Sequence, residues 1–199
     1  MTCVAVIALK RPADGKQRLR AVLSEGERAA LVLTMFEHVV TAVGSARHVD
    51  DIVIVTPAPR HLPFGLRCLQ DAGTGLNAAL RLATQELSRQ GIEELVVFPG
   101  DLPLLTGDDV DRLVTAGALS GLALAPDQRL SGTNAIYQRL PQRIEYCFGA
   151  DSWARHHAAT SPAPQVVLSP GLMFDVDLPS DLRAWRGPIS TVTAQPGQP

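Results

Sequence analysis

The sequence of 199 residues is short of most features that mark a protein's class at first sight. It holds only three cysteines, Cys3, Cys68 and Cys147. An odd number at spacings that match no zinc or redox motif excludes a disulfide scaffold, and buried reduced thiols are the expectation. Net charge is nearly absent: 18 Lys and Arg stand against 20 Asp and Glu. No broad basic surface of the kind that binds polynucleotides follows from that balance. Long apolar runs are missing too. Met1 to Leu9 is mostly apolar, but it is too short for a signal-peptide core or a membrane span, and its charges, Lys10 and Arg11, follow it instead of preceding it. The expectation is a cytoplasmic protein with no nucleic acid and no membrane as partner. Neither Gly-x-x-x-x-Gly-Lys nor Gly-x-Gly-x-x-Gly occurs, which removes the Walker and dinucleotide fingerprints.

What the chain does have is a β-α alternation long enough for one sizeable core. Cys3 to Leu9 is a continuous apolar run, suited to a parallel strand covered on both faces. Ser24-Glu25-Gly26-Glu27 has the capping-box spacing and opens a helix through Ala29 to Val40. Strands follow at Asp51 to Thr56 and Leu66 to Leu69, a helix from Leu76 to Leu87, a strand from Leu95 to Phe98 and a helix from Thr106 through Val114. Leu122 to Ala125, Ala135 to Tyr137 and Val166 to Leu168 are further extended pieces, and Asp151 to Ala159 reads as a helix. This pattern predicts a single α/β domain over residues 1–186, a mostly parallel sheet with helices on both faces, and ligands beyond the carboxyl ends of the strands. Residues 187–199, rich in Pro, Gly, Thr and Gln, read as a disordered tail.

Six polar segments fall where such ligands bind. Gly100-Asp101-Leu102-Pro103 places a carboxylate at the mouth of a strand, either for a metal or phosphate or merely to satisfy a turn or cap a helix. In Asp175-Val176-Asp177 the two acids lie two apart in an extended segment and project to one face, unless Asp177 or Ser180 only caps a short helix through Arg183. If the fold gathers these three carboxylates, a positive charge must sit among them, and an oxygen-only ligand set suits Mg²⁺ or Mn²⁺. The loop Lys10 to Leu19 offers cations to a polyphosphate or is a solvated charge cluster. Gly73-Thr74-Gly75-Leu76-Asn77 can present backbone and an amide to a nucleobase or ribose, or form a plain turn. Ser131-Gly132-Thr133-Asn134 and Phe148-Gly149-Ala150-Asp151-Ser152 carry hydroxyls and N–H groups able to hold a small phosphate or carboxylate. His156 and His157, adjacent on a helix, are expected at the surface.

Taken in order, these segments, with Trp153-Ala154-Arg155-His156 and Pro170-Gly171-Leu172, resemble the 2-phospho-L-lactate guanylyltransferases (CofC/FbiD type) of coenzyme F-420 biosynthesis over nearly the whole chain. The resemblance implies a nucleotide-diphospho-sugar-transferase-like fold and a transfer from GTP to a phosphorylated three-carbon acid: 2-phospho-L-lactate, phosphoenolpyruvate or 3-phospho-D-glycerate. It implies that Asp101, Asp175 and Asp177 bind Mg²⁺, two ions in all. Lys10 would meet the acid, and Thr133, Gly149 and Ser152 would hold its phosphate and carboxylate. Lys16 and Arg18 would face the triphosphate, with Gly75 and Asn77 also on the GTP side, and Asp101, Lys10 and Lys16 would be the catalytic set. The product would pass to a transferase acting on the deazaflavin precursor. Gln17 and Ala150 depart from the family's frequent Thr and Pro. Rival readings are a sugar-phosphate or molybdenum-cofactor nucleotidyltransferase of the same fold, which would begin with a Leu-Ala-Gly-Gly segment that is absent here, and a nucleotide-binding regulator without turnover. The oligomeric state, a homodimer included, is not set by any motif.

Overall fold

A computed structural model describes residues 2–62, 65–141, 144–160 and 163–185. The segment 187–199, read from sequence as a tail, lies outside them. Seven strands form one sheet in the order β3-β2-β1-β4-β6-β5-β7. β1 (Cys3–Ala8), β2 (Asp51–Thr56), β3 (Arg67–Gln70) and β4 (Glu94–Pro99) run parallel, whereas β6 (Thr133–Arg139) enters antiparallel between β4 and β5 (Leu122–Pro126), and β7 (Gln165–Val166) pairs parallel with β5.

Both faces of this sheet are buried, which is why its central strands are apolar throughout. Cys3, Ala5 and Ile7 of β1 and Val96 and Phe98 of β4 turn toward α1 (Glu25–Gly44) and α3 (Gly107–Ser120), packing with Phe36, Val39, Val110 and Leu113. Val4, Val6, Leu95 and Val97 point the other way, onto Leu80, Ala83 and Leu87 of α2 (Leu76–Arg89). With period-2 alternation and helices on both sides, every side chain of β1 and β4 but the last of each is removed from water, worth about 1.5–3 kcal/mol for each large apolar one. The Ser24–Glu27 capping box forms as expected, and Thr106 with Asp109 makes a second one at α3. Shorter helices complete the chain: α4 (Ser152–Ala158), α5 (Pro170–Met173) and α6 (Pro179–Ala184). Among the described residues no helix is long and apolar enough to cross a membrane.

The loops that follow β1, β3, β4 and β5, together with the start of antiparallel β6, all emerge at one edge of the sheet. Gly100 continues β4 toward that edge through a bond from its N–H to the Ala8 carbonyl at 3.1 Å. A Cβ on Gly100 would stand 3.3 Å from both that carbonyl oxygen and the Phe36 ring, so a residue without a side chain carries Asp101 to the mouth of the strand.

The cysteine expectation needs a correction. Cys3 is buried, and burial, reinforced by Glu94 and Asp50, pushes its thiol up to about 12, an inert value. Cys68 and Cys147 are only partly covered, because Cys68 lies on the edge strand β3 and Cys147 in the loop ahead of α4.

Candidate active site

A cleft of about 760 Å³ runs along the carboxyl edge of the sheet, and Lys10, Lys16, Arg18, Gly75, Asp101, Thr133, Gly149, Ser152, Asp175 and Asp177 all line it. Ten of the eleven residues singled out from the sequence therefore meet in one place. Asn77 does not line it. Its amide Nδ2 donates to the Phe148 carbonyl at 3.1 Å and its Oδ1 accepts from the Phe148 N–H at 2.8 Å, so both polar atoms tie the start of α2 to the Gly149 loop.

Lys16 is the centre of the acidic part. It sits at φ 50°, in the left-handed region, between two single-turn 3₁₀ helices. Its side chain is 5 % exposed, and Nζ donates to Asp101 Oδ2 at 2.5 Å and to Asp177 Oδ1 at 2.8 Å. Burial alone would lower the pKa of this amine, but the two carboxylates outweigh it and hold it above the ordinary lysine value. Asp177 takes a second cation from Arg18 at 3.5 Å. Despite its burial, Lys16 and then Arg18 hold its carboxyl below the usual range. Lys10 is exposed at the rim, and no ion pair to it occurs among the described residues.

Asp175 is different. Its Oδ1 is buried without a hydrogen-bond partner, and burial, then repulsion from Asp101 and Asp177, pushes its carboxyl up to about 6 against the pull of Lys16. Val176 between the two acids is fully buried against Leu19, Leu31 and Met35, so the alternation inferred from sequence is real: one apolar residue anchors the segment and both carboxylates face the cleft. Neither Asp177 nor Ser180 caps α6. That task falls to Asp181, whose Oδ2 accepts from the N–H groups of Asp177 and Leu178 at 3.1 and 2.8 Å. Nor does Asp101 cap α3, since Thr106 does.

A magnesium ion fits this donor set. The ligands offered are all carboxylate oxygens, one of them is buried and unpartnered, and Mg²⁺ commonly takes only one or two carboxylates and fills its shell with water and phosphate. Among the described residues no group of three or more His, Cys, Asp or Glu is drawn together as a ready cage, because the Lys16 amine stands between Asp101 and Asp177.

Elsewhere the lining offers hydroxyl and amide groups from Thr133, Gly149 and Ser152, with Asp127 and Asp151 beside them. Ser152 opens α4 just after Asp151, itself left-handed at φ 53°, and its Oγ accepts from the Thr133 N–H at 2.9 Å. Gly149 at φ 122° makes the turn before it. Asn134 is spent on α5, donating to the Leu172 and Met173 carbonyls, both at 3.0 Å.

The surface placement expected for both histidines is corrected for His156, which is 0 % exposed. Adjacency on α4 puts one ring in and one out: His157 stays exposed beside Trp153, while His156 lies four residues after Ser152, on the same inner face. That i,i+4 spacing was the available signal. Asp71 and Asp127 also line the cleft unpredicted. Asp71 accepts from the Gly73 N–H at 2.5 Å, and Asp127 accepts from the Ser131 N–H at 2.8 Å, so each shapes a loop already singled out.

The family model for CofC-like guanylyl transferases matches residues 2–183. The chain belongs to that family. It is thereby a nucleotidyltransferase. A phosphoenolpyruvate guanylyltransferase of Sphaerobacter thermophilus is 42 % identical over 195 residues, 94 % of each chain. A 3-phospho-D-glycerate guanylyltransferase of Phenylobacterium zucineum is 32 % identical, covering 96 % of this chain and 93 % of its own. Among solved structures, a Desulfovibrio desulfuricans protein described as a nucleotide-diphospho-sugar transferase superposes with a TM-score of 0.73 at 18 % identity, over 92 % of this chain and 86 % of its own. A 4-diphosphocytidyl-2C-methyl-D-erythritol synthase does so at 0.61 and 14 %, over 92 % and 96 %. At such identities these two speak for the fold alone, the nucleotide-diphospho-sugar-transferase architecture in a single α/β domain.

Proposed function

We propose that this enzyme transfers GMP from GTP to phosphoenolpyruvate, releasing pyrophosphate, in the route to coenzyme F-420, and that its product goes to a transferase acting on the deazaflavin precursor. The observation that carries the reading is the asymmetry of the cleft. The buried Lys16, with Arg18, gathers Asp101 and Asp177 beside Asp175 in one part of the lining, whereas Thr133, Gly149 and Ser152 offer hydroxyl and amide groups in another, a division suited to two anionic reactants joined by a phosphoryl-type transfer. The names of the relatives at 42 % and 32 % identity support a phosphorylated three-carbon acid as acceptor.

Asp101, Asp175 and Asp177 hold the magnesium, which when bound neutralises the triphosphate and the leaving pyrophosphate. Lys16 is already charged at any working pH, and Arg18 shares Asp177 with it, so both would bind the triphosphate. Thr133, Gly149 and Ser152 hold the acid, and Lys10 reaches it from the rim. Gly75, at φ 111° ahead of α2, offers backbone to the nucleoside. No general base is needed, because the attacking phosphate oxygen is already anionic near neutral pH. Positioning and charge neutralisation provide the rate.

The test is turnover of GTP with phosphoenolpyruvate, 3-phospho-D-glycerate and 2-phospho-L-lactate in parallel, with the product identified by mass. Turnover with phosphoenolpyruvate at the highest kcat/KM is expected. Preference for another acid corrects the substrate, and no pyrophosphate from any acid with Mg²⁺ present overturns the reading. Asp101→Asn is expected to lower kcat at least about a hundredfold, as removal of an electrostatic stabiliser does.

A further inference from the structure

Buried behind Thr133 is a histidine, His156, with both ring nitrogens engaged, and its partners fix which of them carries the proton. The Cys147 N–H points at His156 Nε2 over 3.0 Å. A backbone N–H only donates, so Nε2 is the acceptor and the neutral ring carries its hydrogen on Nδ1. Nδ1 lies 2.9 Å from Thr133 Oγ1, to which it therefore donates. The Thr133 hydroxyl, already accepting, has its own hydrogen to place elsewhere. Ser152 is in the same position, since its Oγ accepts from the Thr133 N–H. Both side chains line the cleft, and among the described residues neither hydroxyl donates to a protein group.

We propose that His156 is a positioning residue for the acid substrate: its Nδ1–H holds the Thr133 hydroxyl as a donor aimed into the cleft, where with Ser152 it meets an anionic oxygen. The inference rests on the assignment of Thr133 and Ser152 to the phosphorylated acid. It adds a residue that does not itself reach the cleft and that the sequence pattern placed at the surface. Two hydroxyls in the cleft lining, joined through the Thr133 N–H and without an acceptor among the described residues, suit a phosphate or carboxylate and discriminate against a cationic group. The ring is suited to keep this tautomer. It is fully buried, it lies edge-on to Phe148 at 5.0 Å, and burial with the nearby Arg155 charge holds its pKa down at about 4, so it remains neutral throughout the working range.

Two substitutions separate this role from packing. His156→Leu keeps the branching at Cγ and removes the donor, whereas His156→Asn returns an N–H close to the place of Nδ1. With wild-type turnover established, His156→Leu is expected to raise KM for the acid about tenfold while KM for GTP stays within about twofold. His156→Asn should bring the acid KM back to within about threefold of wild type. In a Thr133→Val background, His156→Leu should have no further effect on the acid KM, because the hydroxyl through which it acts is gone. An unchanged acid KM in His156→Leu, equal rises for both substrates, or a full additional loss on top of Thr133→Val each overturns the inference. If His156→Leu does not fold, ¹⁵N spectra of the wild-type imidazole decide: protonated Nδ1 with bare Nε2 at pH 7 is required, and the reverse tautomer refutes it. A wild-type enzyme that turns over no acid defeats the functional reading instead, and the imidazole spectrum still judges the tautomer.

Discussion

Asp175 shows how a single residue is kept at a cost to stability. Its carboxyl ordinarily titrates near 3.8 and in the fold near 6, so the folded protein binds the extra proton, and stability is lost as pH rises through that window. By pH 8 the loss amounts to about 1–2 kcal/mol, after allowance for its partial exposure. Asp175→Asn removes the charge and keeps the shape. Without metal at pH 8 it is expected to raise Tm by several degrees, with the gain vanishing by pH 4, and Mg²⁺ should stabilise the wild type but not the variant. A lower Tm for Asp175→Asn at pH 8 would show that the carboxylate is not strained. The pairing of Asp175 with Asp177 across one apolar residue was legible in the sequence, because period 2 is a local rule. The place of Lys16 was not. It joins residues 85 and 161 positions away through a left-handed backbone, and no short-range pattern encodes such a meeting.

Among the elements, the start of α2 is tied to the loop ahead of Ser152 by the two hydrogen bonds of the Asn77 amide with Phe148. Asn77→Ala leaves the Phe148 N–H and carbonyl without these partners, a loss of about 1–3 kcal/mol. The Gly149 turn should loosen with it, so KM should rise for GTP and for the acid together, unlike the acid-only effect expected at His156. Chemical denaturation and initial rates on the same preparation check both parts. A change in stability with unaltered KM values would reduce Asn77 to a brace remote from the site. The elements themselves could be read from the chain wherever local rules govern: the Ser24–Glu27 capping box, the apolar strands with both faces covered, and the alternation from Val4 to Val114. The antiparallel entry of β6 between β4 and β5 could not, because strand order depends on register between distant segments such as Val96 and Tyr137. That insertion brings Thr133 to the same edge as Asp101, so the site could be listed from sequence but not assembled.

At the scale of the whole molecule, two titrating groups, half-buried Asp175 and fully buried His156, pull the pH dependence of stability in opposite directions. His156 ordinarily titrates near 6.5 and in the fold near 4, so the folded state binds fewer protons between those values. Its contribution is intact above pH 6.5 and is lost as pH falls toward 4, by about 3 kcal/mol for a group fully out of water. Asp175 recovers stability over nearly the same interval as it becomes protonated. Asp111, Asp177 and Asp181, each held below the ordinary carboxylate value by its partners, add their losses only below about pH 4. Metal-free wild-type protein should therefore show a shallow stability profile from pH 6.5 to 4. Asp175→Asn should uncover the histidine slope and lose about 2–3 kcal/mol across that interval, and His156→Leu, if folded, should gain stability on the same acidification. Urea unfolding at pH 6.5, 5 and 4 measures all three. If Asp175→Asn is as flat as the wild type, His156 is not held neutral by the fold, and the fixed tautomer loses its energetic support along with it.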